Sequence, residues 1–77
     1  MTYDVGYYQT IVNSSNAPSG KVYIYTKESL WNNNVVFCTE VYDYLDGDCD
    51  LLDCKVHQIN DVNKLEAYHN NIVSEWQ

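Results

Sequence analysis

A 77-residue chain with eleven acids, four lysines and no arginine, for a formal charge of −7, is limited by size to one small domain. Its charge argues against direct binding to nucleic acid or anionic membrane. A chain this short buries only about 60–65% of its unfolded surface, which leaves little room for a deep catalytic pocket.

Residues 3–12 are rich in tyrosine and β-branched residues and broken by Gly6. They predict a first strand with a bulge. Asn13 to Gly20 is turn chemistry throughout. Lys21 to Lys27 then alternates, with Val22, Ile24 and Thr26 on one face and Lys21, Tyr23, Tyr25 and Lys27 on the other. That period of two marks a half-buried strand. Glu28 to Asn34 reads as a connection, with Leu30 and Trp31 as a lid over one edge of the core.

Val35 to Leu45 and Asp48 to Gln58 form a second hairpin across Asp46-Gly47, a strong signal because both turn residues need positive φ. From Asp61 to Trp76, the spacing of Val62, Leu65, Tyr68, Ile72, Val73 and Trp76 gives a helix with one apolar stripe. Asn60 or Asp61 is expected to cap it, with Asn63 followed by Glu66 as the alternative. The fold expected is α+β: residues 1–77 as a single domain, two hairpins in a four-stranded antiparallel sheet (β-β-β-β-α), and one C-terminal helix packed on one face.

A two-residue turn pairs Leu45 with Asp48, Asp43 with Asp50, Val41 with Leu52, Thr39 with Cys54, and Phe37 with Val56. The Phe37, Val41, Leu52 and Val56 end is the expected seat of the helix. The other face carries Cys38, Glu40, Tyr42 and Tyr44 opposite Lys55, Asp53, Leu51 and Cys49. Residues 40–53 hold six carboxylates and no cation, and this register sets Asp43 against Asp50 and Glu40 against Asp53. Like charges placed directly opposite are destabilising, and a broken local rule without local gain points to function.

The candidate partner-binding residues are therefore Glu40, Asp43, Asp46, Asp48, Asp50 and Asp53, with Tyr42, Tyr44, Tyr23 and Tyr25 adding aromatic contact area. Same-face carboxylates on a strand lie about 6.8 Å apart, at ~3.4 Å per residue. That is of the order of phosphate spacing, so the partner expected is a basic protein surface that normally binds nucleic acid, met through electrostatic steering.

Catalytic and metal readings are weaker. With Gly47 as the sixth residue of a calcium loop, positions one and three would be Tyr42 and Tyr44, and the motif fails. Cys38, Cys49, Cys54 and His57 have spacings unlike a zinc knuckle, and Cys54 is expected on the face opposite the other three. Cys38 beside His57 lacks an orienting third group, and surrounding acid raises a thiol's pKa. No enzyme, cofactor or metal is expected.

The amino-terminal residues show no signal-peptide pattern, three cysteines suit reduced thiols, and no apolar run exceeds Val35-Val36-Phe37-Cys38. The compartment expected is the cytoplasm, that of a host cell if the chain is phage-encoded. In composition the chain resembles phage-encoded anti-CRISPR and anti-restriction inhibitors that mimic nucleic acid. The resemblance implies a stoichiometric inhibitor and transfers no site. The alternative is an oligomeric or adaptor module, such as a homodimer, that uses an exposed tyrosine-rich sheet face.

Overall fold

The computed structural model describes residues 4–45, 48–57 and 61–77. β1 (Asp4–Asn13), β2 (Lys21–Trp31), β3 (Asn34–Leu45) and β4 (Asp48–His57) form one antiparallel sheet in that spatial order. A single turn of 3-10 helix, Val62–Lys64, leads into α1 (Leu65–Trp76), which lies on one face of the sheet over β1 and β2 and reaches β3 less. The α+β architecture with one C-terminal helix is as the hydrophobic patterns predict. No described helix is long and apolar enough to cross a membrane.

The first hairpin loop is not loose. Ser14 donates its N–H to Gly20 O at 2.9 Å and Gly20 donates to Ala17 O at 3.0 Å. Gly20 takes φ 84°, which glycine adopts without a Cβ clash. This folds Ala17 into the core beside Val22, Ile24, Val41 and Ile72, with Val12, Leu52, Val73 and Trp76 packed around them.

The connection expected from Glu28 to Asn34 is instead strand and tight turn. β2 continues to Trp31 and β3 starts at Asn34, with Asn32 and Asn33 at φ 52° and 64° between them. Two positive φ values match the twist of a hairpin, and asparagine is among the few residues that adopt them at low cost. Leu30, expected to tuck over the core, is 47% exposed.

Two bulges set which side chain faces where. In β1, Gly6 pairs with Lys27 and Tyr8 with Thr26, so Tyr7 is an extra residue. Tyr7 packs edge-on against Phe37 at 6.0 Å and Tyr8 lies 5.6 Å from the His69 ring, so both serve the helix-covered side. Gly6 is bare because Tyr25 lies across it: an added Cβ would meet Tyr25 Oη at 2.5 Å.

In β4 the expected register holds from Leu45–Asp48 to Tyr42–Leu51 and then shifts, pairing Val41 with Asp53, Glu40 with Cys54, Thr39 with Lys55, Cys38 with Val56 and Phe37 with His57. Leu52 is the inserted residue. A one-residue slip moves every later side chain to the other face. Val56 and Cys54 thus join the open face and His57 the helix-covered face, each opposite to the two-residue-turn register.

Asp61 caps the helical segment by accepting the Asn63 N–H at 3.0 Å; Asn60 lies outside the described residues. The buried helix residues are Leu65, His69 and Ile72, an i, i+4, i+7 row. Val62 and Tyr68, expected in the stripe, are 41% and 38% exposed. The helix is rotated so that His69 points into the sheet, where it finds hydrogen-bond partners.

Candidate functional site

The six hairpin acids do not form one array. Glu40, on the open face, lies 3.0 Å from Lys27 Nζ, and both side chains are largely buried, at 15% and 17% exposed. The contact is an ion pair rather than an aligned hydrogen bond. The like-charge pair of Glu40 and Asp53 does not form, because the β4 bulge sets Cys54 opposite Glu40.

Asp43 does face Asp50, but it is buried at 7% exposure on the other side of the sheet. There its Oδ1 accepts from the Ser19 N–H at 3.0 Å and lies 2.7 Å from the Ser19 hydroxyl. A carboxylate holding a loop by two donors is structural. Asp50 is exposed and Asp53 half-buried, its Oδ1 accepting the Cys54 N–H at 2.9 Å. Asp46 and Gly47 lie outside the described residues, and Asp48 is described only as the backbone partner of Leu45. Lys55 is engaged by Glu75 at 3.0 Å.

The tyrosines do come together. Tyr23, Tyr25, Tyr42 and Tyr44 alternate with helix-facing residues and share the open face. Tyr23 lies 6.1 Å from Tyr25 and 6.3 Å from Tyr42 between ring centroids, within the range of favourable aromatic pairs. Burial, then the hydrogen bond Tyr42 donates to Glu40, pushes the Tyr42 hydroxyl up to about 12. Glu40 thus joins Lys27 and Tyr42.

By register, Ile11 beside Tyr23, Leu51 beside Tyr42 and Val56 beside Cys38 complete this face. They are 49%, 55% and 42% exposed. Together with the tyrosines they form a contiguous apolar surface across all four strands, which no described element covers.

Cys38 is buried and Cys54 exposed, and by register they share the open face as diagonal neighbours, Cys38 opposite Val56 and Cys54 opposite Glu40. Desolvation pushes both thiols up, and the negative charge of Glu40 adds to it. A raised pKa leaves less thiolate, the form that attacks electrophiles. His57, the base envisaged for Cys38, is on the opposite side of the sheet. Among the described residues, no three His, Cys, Asp or Glu side chains are placed to hold a metal.

Beneath the helix lies a feature that the alternation pattern only half reveals. Thr10 Oγ1 is 2.7 Å from His69 Nε2, and His69 Nδ1 is 2.8 Å from Thr26 Oγ1. Thr26 Oγ1 is 2.7 Å from Thr39 Oγ1, which is 2.9 Å from His57 Nε2. The chain of five crosses all four strands. Each link needs one proton, and Thr26 and Thr39 each have one to give. With both rings neutral, the two histidines must therefore carry their proton on the same ring nitrogen, both Nδ1 or both Nε2.

Burial lowers the pKa of both rings, and Lys55 adds to the effect at His57. His57 stacks on Tyr68 at 4.8 Å. It opens onto a groove of about 440 Å³ between β4 and α1, lined also by Lys55, Asn71, Ile72 and Glu75. The signal for this chain was Thr26 among Val22 and Ile24, and His69 four residues after Leu65 and three before Ile72.

No family model, curated protein or solved structure matches this chain.

Proposed function

We propose that this chain is a non-catalytic protein-binding module whose contact surface is the open face of the sheet, centred on Tyr23, Tyr25 and Tyr42. The observation that carries the reading is the composition of that face. Four tyrosines and the exposed Ile11, Leu51 and Val56 surround an ion pair already closed on itself. Aromatic side chains dominate binding energy at interface centres, and apolar patches rimmed by polar residues mark interaction sites.

A second reading is favoured by exposed Asp50, half-buried Asp53 and the charge of −7. Here the β3–β4 hairpin docks into a basic, nucleic-acid-binding surface of a host protein in the cytoplasm, as an inhibitor of the anti-CRISPR or anti-restriction type. Capture of partners from lysate at low and high salt, with Tyr23→Ala/Tyr42→Ala and Asp50→Lys/Asp53→Lys variants of native circular dichroism, separates the two. The open-face reading predicts loss of capture in the tyrosine variant and little salt dependence. Loss in the aspartate variant alone, with capture only at low salt, would refute it and favour the second.

A further inference from the structure

We infer that the occupant of the open face is a second copy of this chain, packed sheet to sheet about a two-fold axis. The inference rests on the reading of that face as a contact surface and names what covers it.

Charge distribution carries it first. Two copies of a chain with a formal charge of −7 repel unless the meeting surfaces are free of that excess. Among the described side chains, the open face carries only Lys21, Lys27 and Glu40 as charges, and Lys27 and Glu40 neutralise each other. Asp43 turns to the other side to hold Ser19, Asp50 shares Asp43's register position, and Glu66 and Glu75 belong to the helix. Among the described side chains, this surface poor in negative charge is therefore also the aromatic one. A strongly basic partner would be drawn elsewhere on the molecule, whereas two identical faces bring together, among the described side chains, none of the negative excess and only the exposed Lys21 of each copy beside its neutralised Lys27–Glu40 pair.

Size agrees. The face is four strands wide, and with about ten paired residues per strand, ~4.8 Å between strands and ~3.4 Å per residue it offers on the order of 650 Å², at the lower end of the roughly 600–1,000 Å² that each partner gives to a standard interface. Two antiparallel sheets stack about 10 Å apart through interleaved side chains, and the tyrosine rows supply side chains long enough to fill that gap. The central ion pair adds little cost on docking, because Lys27 and Glu40 are already 17% and 15% exposed in the single chain. Most of their hydration is lost before any partner arrives. An isologous contact of this kind closes at two copies.

Sedimentation equilibrium over a range of concentrations tests the inference. The wild type should reach twice the 9.0 kDa chain mass. Ile11→Lys and Val56→Lys, both at positions exposed enough to leave folding intact, should each weaken the dimer at least about tenfold by setting like charges against one another. Leu30→Lys, at an exposed position on the β2–β3 hairpin by register, should leave the dimer unchanged. A wild type that stays at the single-chain mass at every concentration, or a dimer indifferent to Ile11→Lys and Val56→Lys, overturns the inference. If that single-chain protein still loses partner capture in the tyrosine variant, the contact-surface reading stands with another protein as occupant. If capture is also unaffected, both fail.

Discussion

Thr26→Val tests the buried hydroxyl–imidazole chain with almost no change in volume. Thr26 is fully buried and bonds both Thr39 Oγ1, at 2.7 Å, and His69 Nδ1, at 2.8 Å. The valine leaves His69, only 2% exposed, with a ring nitrogen inside the core and no partner. A buried polar atom so orphaned costs about 1–3 kcal/mol, which for a domain of this size lowers Tm by roughly 4–8 °C per kcal/mol.

Thr39→Val should cost less, because Thr26 keeps His69 and the released His57 ring borders the groove, where water can replace the lost hydroxyl. The double variant should cost less than the sum of the two, since both single changes remove the same Thr26–Thr39 link. Thermal melts of the four proteins, followed by circular dichroism, provide the measurement. A neutral Thr26→Val, or a Thr39→Val that costs more, would refute the argument that His69 is held in the core by these bonds.

Three further outcomes follow from the geometry. His57 and His69 both have pKa values lowered from 6.5 by burial, so below that value the unfolded chain binds more protons than the folded one. The stabilisation from keeping both rings neutral is therefore full above about pH 6.5 and falls as pH drops toward the depressed folded values; His69→Gln should flatten that part of a Tm-against-pH profile. Ser19→Ala removes the hydroxyl that lies 2.7 Å from buried Asp43 and should cost about 1.5–3 kcal/mol in urea denaturation, the range for hydrogen bonds to charged groups. Asn33→Gly, at φ 64° in the second position of the β2–β3 turn, should raise stability by a few tenths of a kcal/mol or more by the same assay, because glycine takes that conformation without strain.

The architecture was legible because its signals are local and periodic. Val22, Ile24 and Thr26 declared the buried side of β2, and the spacing of Leu65 and Ile72 declared a helix. The candidate site was legible only in part, and the bulge at Leu52 explains most of the difference. A bulge carries no residue signature as strong as Asp-Gly, yet it relocates every side chain from Asp53 to His57. The expected Glu40–Asp53 repulsion disappeared, Cys54 came to lie beside Cys38, and His57 moved beneath the helix.

Asn32-Asn33 was read as loop because asparagine suits irregular turns as well as tight hairpins. The apolar spacing of the helix omits His69, because a polar ring is assigned outward unless its partners are known. Those partners, Thr10 and Thr26, come from two different strands, and no single segment reveals them. The open tyrosine face, by contrast, follows directly from the alternation in Lys21–Lys27.

Backbone amide spectra of isotope-labelled protein, recorded from dilute to concentrated and then with any captured partner, test the central claim most directly. The account predicts that the signals that shift belong to Ile11, Tyr23, Tyr25, Cys38, Glu40 and Tyr42, while those of α1 stay in place. Shifts confined to Asp48, Asp50 and Asp53, or to the outer surface of the helix, would contradict it.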